Sequence, residues 1–316
     1  MFDFDAAVTA PFRMQPGLQR LADGAVQLTA LDPTDSAFAE KLQVLRREPG
    51  SALLSAPGFD ARPALEALAR QAQRDAPQAL RPDGDRGLAA PLLGWSVAWD
   101  GALSASSPAT HATAGAVLAA LPAERRLAGL ASLALHEDLA IVDGAEAALP
   151  WLAVCLPSHW VPADKVGRSF AQAHAPVADN ALVVNAARQL CALVCREPRW
   201  ERFVWTVVPH GGHDHHPQRH QDRWPAAPDE SGLDAWARSL WFRTERQSFI
   251  PVAGKAQAVF TIHVAVRPLP EALETPARAA ALHAAIASMS EAVIAYRGLA
   301  AARAPLLAWL ARRAAA

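Results

Sequence analysis

The stretch Leu240–Val266, LWFRTERQSFIPVAGKAQAVFTIHVAV, reads as two strands, Leu240–Val252 and Gln257–Val266, joined by a turn around Ala253-Gly254. Aromatic and β-branched residues fill both halves and the connection is short, so the spacing predicts an antiparallel hairpin. Side chains alternate along a strand: Arg243 and Glu245 point one way and Arg246 the other, so the three cannot share one pocket. A cross-strand ion pair on an exposed face is the competing reading for each of them. Three more strands are expected at His136–Val142, Trp151–Leu156 and Trp200–Val208, the first of them turned at Asp143-Gly144.

Helical spacing marks Asp32–Arg47, through Phe38, Leu42 and Leu45, and Ala61–Gln73, through Leu65, Leu68 and Ala69. Pro122–Leu135 and Asp179–Val194 read the same way. The Ala-rich segment from Pro276 to Ala316 reads as one or two helices, interrupted near Gly298. The first thirty residues form an extended arm, Leu88–Trp99 a strand or a buried loop, and Gly101–His111 a small-residue loop. Helices flanking a mostly antiparallel sheet make the fold class α+β. With no internal repeat, residues 1–316 are expected to form a single unit.

Hydrophobic residues at 52% against 19% charged place the chain among globular proteins. Thirty Lys and Arg balance 31 Asp and Glu, which excludes a polyanion-binding surface, and with it nucleic acid as a partner. Three cysteines, Cys155, Cys191 and Cys195, are too few and too apolar in setting for a disulfide framework, so a reducing, cytoplasmic location is expected. MFDFDAAVTAPFRM lacks the basic start and apolar core of a signal peptide. The longest uncharged run, Gly101–Ala123, holds Ser, Thr, Pro and His, so no membrane span is expected.

Nucleotide-cradling, nucleophile-elbow and zinc-protease patterns are all missing, as are CxxCH and a four-cysteine cluster set. Electrons for any redox chemistry would therefore come from another chain. His210, His213, His215, His216 and His220 lie within eleven residues, near Asp214 and Asp222. Such imidazoles can bind zinc, but Gly211-Gly212 and Pro217 scatter them and no rigid element holds them. The expectation for His210–Pro228 is a solvated, flexible lid beside a pocket mouth, and not a metal site. In WLAVCLPSHWVPADKVGRSFAQAHAPVADN, Trp151–Asn180, a strand ends in Pro157 and a short helix closes on His174, with Pro176 two residues on. An imidazole fixed there could serve as an axial haem ligand. Taken alone, a satisfied structural histidine is the plainer reading.

Four ordered stretches resemble the haem-dependent oxidative N-demethylase α-subunit family. They are PFRMQPGLQRL near the start, LALHEDLAIV, CLPSHWVPADKVGRSFAQAHAPV, and WFRTERQSFIPVAGKAQAVFTIHV. The third is similar to the family's Pro-Ser-x-Trp, Lys-x-Gly and Ile-His-x-Pro-Val-Pro pattern, with Ala173 in place of Ile and Ala178 in place of the last Pro. Departures are Val204 within Arg202-Phe203-Val204-Trp205, where the family tends to have Asn, and His263 where it has Arg. The resemblance implies a PAS-like antiparallel core, about residues 88–270, with N- and C-terminal helices, the latter at 276–316. It implies non-covalent haem b with His174 on the iron, and Arg202, Arg243, Arg246 and Trp205 as cofactor-binding residues. Glu245 is the candidate catalytic carboxylate. The implied chemistry is oxidation of a small methylated amine by O₂ with release of formaldehyde, fed by a separate reductase. A haem- or small-molecule-binding PAS module with a sensory or storage role is the alternative.

Overall fold

The computed structural model describes residues 2–107 and 109–316. Met1, at the head of the expected arm, and Pro108, inside the expected Gly101–His111 loop, lie outside the described residues. The described strands are β1 (Gln19–Arg20), β2 (Leu53–Ser55), β3 (Arg81–Pro82), β4 (Gly87–Ala90), β5 (Trp95–Ala98), β6 (Leu103–Ala105), β7 (Asp138–Asp143), β8 (Ala148–Ala153), β9 (Trp200–Val208), β10 (Trp241–Pro251) and β11 (Gln257–Pro268). Seven of them make one sheet in the order β1-β9-β10-β11-β7-β8-β2, and β3 to β6 make a separate four-stranded meander. All named pairings are antiparallel. With helices packed around these sheets the protein is α+β, as expected from the sequence.

The hairpin forms as its composition predicts, β10 pairing with β11 across its whole length. Its register defines the two faces of the large sheet. Arg243 opposes Thr206 and Val266, Glu245 opposes Val204 and Val264, and Gln247 opposes Arg202 and Ile262. Directly opposed residues share a face, so Arg202, Arg243, Glu245 and Gln247 line up on one side. Thr244, Arg246 and Ser248 lie on the other.

That other face is covered twice. Helices Ser36–Arg47, Arg62–Asp75 and Arg126–Ala134 pack a leucine- and alanine-rich core against Leu139, Ile141, Val259 and Ile250. Farther along, Trp205, Val207 and Phe242 pack with the C-terminal helices. These number three, Pro276–Ala287, Glu291–Tyr296 and Arg303–Ala314: Ser290 caps the second, and the left-handed Gly298 (φ 66°) lies in the break before the third. Asp179–Val194 is also interrupted, at Ala186. Leu88–Trp99 resolves as β4, a turn and β5. The left-handed Gly94 (φ 73°) belongs to that turn, and a side chain there would meet the Ala109 carbonyl oxygen at 2.3 Å. Residues 81–87, RPDGDRG, form β3 and the turn that pairs it with β4. The arm contains a short helix, Phe4–Ala7, that packs into the core.

A fully buried lysine ties the helical layer to the sheet. Lys41 Nζ donates to the Leu135 and Glu137 carbonyls (3.0 and 2.9 Å) and pairs with Asp138 Oδ1 at 3.2 Å. The Asp138 carboxylate in turn accepts from the Cys155 and Leu156 amides, which fixes the strand leading into residues 156–160. Among the described residues no helix is long and apolar enough to cross a membrane.

Candidate active site

A cavity of about 360 Å³ opens on the Arg243–Glu245 face of the large sheet. This falls within the ~300–1,000 Å³ of sites that hold cofactors or drug-sized ligands. Its floor is apolar: Ala140, Val142, Leu152, Phe249, Phe260 and Ile262, all from strands. Opposite lie Phe170, Ala173, His174 and Val177 from the short helix and its exit. Arg13, Lys165, Arg202, Arg243 and Arg297 bring cations, and Glu245 is the sole carboxylate among the described lining residues.

Local chemistry explains how His174 reaches this wall. Gly167, in the left-handed region (φ 71°), turns the chain and donates to the Leu149 carbonyl at 2.9 Å. The Phe170 amide bonds the Ala147 carbonyl at 2.6 Å, so the segment is fastened to the start of β8. Ser169 and Gln172 then form a reciprocal capping box that starts helix Phe170–His174. At the other end Lys165 Nζ donates to the Ala173 carbonyl and Asn180 Nδ2 to that of His174. The Lys165-x-Gly167 pair is therefore the bracket of this helix.

The His174 ring stacks on Phe170 at 4.0 Å between centroids, and its Nδ1 lies 2.8 Å from the Phe170 carbonyl oxygen. A carbonyl can only accept, so Nδ1 carries the proton and Nε2 keeps its lone pair. Burial pushes the imidazole down to about 4, so it is neutral at pH 7. A neutral ring with a fixed tautomer and a free Nε2 is the form that coordinates a metal.

Arg243 is almost fully buried and already satisfied. Its Nε donates to Ser158 Oγ (2.8 Å), Nη1 to the His213 carbonyl (2.7 Å) and Nη2 to that of Leu156 (3.0 Å). It organises the wall and has little left to give a ligand. Arg202 is the opposite case. No hydrogen bond is formed by its side chain among the described residues, and its buried Nε has no partner. Burial lowers its affinity for the proton, against a pull from Glu245. Arg297 likewise leaves a buried Nε unpartnered, while another guanidinium nitrogen donates to the Trp205 carbonyl. Unpaired buried guanidinium groups ask for an anion. Glu245 accepts from Ser158 Oγ and, at 2.6 Å, from Gln247 Nε2.

Two of the residues read from sequence do not join this group as expected. Arg246 points to the far face, where it pairs with Glu201 at 2.8 Å and bonds the Val26 carbonyl, and it does not line the cavity. The strand's two-residue period is the reason. Trp205 also points to the far face, donating to the Ala7 carbonyl and packing on Phe242, yet it borders the cavity with Phe12 because β9 lies near the sheet edge. Arg13, Gln247 and Arg297 are cavity residues that the sequence reading does not name, and Lys165 enters it only through the Lys-x-Gly pattern that positions His174. Gln247 follows from the same alternation as Glu245, whereas nothing local to Arg13 or Arg297 shows that the chain ends meet here.

The histidine-rich loop departs most from expectation. His213, Asp214, His215 and His216 are buried, not solvated. Glu40 accepts from the His213 and Asp214 amides, Asp214 pairs with Arg219 at 2.7 Å, and the His215 backbone bridges Ser158. The loop thus packs beside the cavity wall, held by polar contacts the sequence could not pair. Cys155, Cys191 and Cys195 are free and buried, and burial raises their thiols to about 12, 12 and 11. Cys155 packs in the helical core and does not line the cavity.

No match to a curated protein was found. A family model described as "Haem-dependent oxidative N-demethylase, alpha subunit-like" matches residues 109–307, which include β7 to β11, His174 and the cavity-lining residues of those five strands. PFRMQPGLQRL lies outside that match. On the strength of a match over more than half its length, the chain belongs to the haem-dependent oxidative N-demethylase, alpha subunit-like family.

Proposed function

We propose that the cavity holds haem b non-covalently, with His174 Nε2 as the iron ligand, and that the protein oxidises a small methylated amine. The observation that carries this reading is the His174 ring, with Nδ1 spent on the Phe170 carbonyl and Nε2 left for the cavity. The residues present fit the group: an apolar floor suits the macrocycle, and Arg202 and Arg297, with buried unpartnered nitrogens, suit two propionates. When bound, haem supplies O₂ activation and electron transfer. The strand order β8-β7-β11-β10-β9 supports reading the core as PAS-like.

The overall reaction consumes one N-methyl amine, one O₂, two electrons and two protons, and yields the demethylated amine, formaldehyde and water. A separate reductase supplies the electrons. Glu245, steadied by Ser158 and Gln247, offers its carboxylate to the ammonium or N–H of the substrate, and the apolar floor excludes water around the methyl group. Three buried free thiols fit a reducing, cytoplasmic setting.

The reading is tested with the full chain reconstituted with haemin. A one-to-one Soret band is expected, with formaldehyde released from dimethylamine-type substrates when a surrogate electron donor is supplied. Haem binding without formaldehyde would favour a non-turnover PAS module, and absence of haem binding would end both readings. Glu245→Gln should leave the Soret band in place and raise KM for a cationic amine about ten- to hundredfold, the equivalent of the roughly 1.5–3 kcal/mol of a charge-assisted hydrogen bond. An unchanged KM would remove Glu245 from the substrate site.

A further inference from the structure

Beside the cavity wall, three side chains from two separate segments converge. His159 Nε2 lies 2.7 Å from Asp222 Oδ2, and His215 Nδ1 lies 3.1 Å from Asp222 Oδ1. One donor atom from each residue lies within 4.8 Å of the others. Zinc bonds of about 2.0–2.2 Å in tetrahedral geometry hold neighbouring donors roughly 3.3 Å apart. The three atoms need shift little to reach that spacing.

The hydrogen-bond pattern suits a cation between these groups. His215 Nε2 lies 3.0 Å from the Gly212 carbonyl oxygen, which can only accept, so the ring hydrogen sits on Nε2. A neutral His215 therefore turns an Nδ1 lone pair toward a carboxylate oxygen, two acceptors face to face. Either a proton or a metal ion must lie between them. His210 supplies the outer contact: its Nδ1 accepts from the Gly212 amide (3.2 Å), which leaves Nε2–H to donate to Asp222 Oδ1 at 3.1 Å. Its ring stacks on His215 at 4.2 Å and 3°. Ligands oriented by carbonyl, amide and imidazole in this way are what a metal site requires beyond its donor count. His159 also lies in the left-handed region (φ 63°), uncommon for a non-glycine residue.

We propose that His159, His215 and Asp222 bind a divalent cation of the zinc type through His159 Nε2, His215 Nδ1 and a carboxylate oxygen. Two imidazoles and one carboxylate are a borderline donor set that suits zinc over magnesium or calcium. The ion would clamp the His210–Asp222 loop to the Ser158–His159 turn, whose Ser158 hydroxyl contacts Glu245 and Arg243. His159 borders the same cavity, but none of the three ligands is assigned to haem, so failure of zinc binding would not touch the reading above.

The test uses the full chain, dialysed against a chelator and titrated with zinc chloride by calorimetry, with and without haem. One zinc per chain is expected. Asp222→Asn and His159→Ala should each weaken binding at least about tenfold, while His220→Ala, whose imidazole meets Asp214 instead, should not. Cobalt(II) in the native protein should give the visible bands of a tetrahedral N/O site, a readout that needs no variant. No zinc uptake by the native protein overturns the proposal. So does uptake that survives in both Asp222→Asn and His159→Ala, which would assign it to the exposed histidines.

Discussion

Replacing His174 with alanine is expected to abolish or shift the Soret band of the haemin-reconstituted protein and to lower turnover by more than about a hundredfold. Loss of an outer contact to a metal ligand already costs ten- to a hundredfold, and here the proposed ligand itself is removed. The fold should survive, because the helix is fixed by the Ser169–Gln172 box and by Lys165, not by the imidazole. Added imidazole should restore part of the band. The same ligand sets a pH limit. Coordination needs the neutral ring, and protonation removes it. Because burial pulls the group from 6.5 to about 4, haem affinity should hold between pH 7 and 5 and fall as pH drops through about 4. An unaltered spectrum in the alanine variant, or a loss of affinity centred near pH 6.5, would exclude His174 as the ligand.

A second large effect is expected far from the cavity. Lys41→Met should lower stability by about 3–5 kcal/mol, because the Asp138 carboxylate and the Leu135 and Glu137 carbonyls would be left buried without their donor. In a chain of this size that amounts to a fall in thermal midpoint on the order of 10 °C. Methionine keeps the stem's volume, so packing loss contributes little. Calorimetry decides it: a midpoint unchanged from the native protein would show that the pair is not needed.

The strands of the large sheet were legible because their side chains alternate between two demanding environments. Trp200–Val208 begins and ends where the sequence places it, and the opposed directions of Arg243 and Arg246 follow from period two alone. The β3–β6 meander was illegible in part because its strands run only two to four residues, too short to show a period, and because Gly and Pro in RPDGDRG mark a turn and a boundary alike. The ligand candidate His174 was found through its family pattern, while the tautomer that makes it useful depends on a carbonyl four residues back and only a structure shows it. The loop histidines were misjudged for a related reason. Read alone, residues 210–222 lack rigid support, yet Glu40, Ser158 and His159 supply it from segments more than fifty residues away in sequence.

The placement of residues 9–20 bears on how anything enters. This strap borders the cavity through Thr9, Phe12, Arg13, Met14, Gln15, Gly17 and Gln19, yet none of its residues is fully buried. It is held by few contacts, among them the Phe12 amide on Ser288 Oγ at 2.9 Å and the two-residue pairing of β1 with β9. Lifting it gives up the partial burial of Phe12, Met14 and Leu18 and leaves β7 to β11 paired. Exchange of a bulky guest through a local opening of this strap would cost far less free energy than unfolding the molecule. Its rate should follow the strap's own stability, and cofactor loading can proceed on a fully folded sheet.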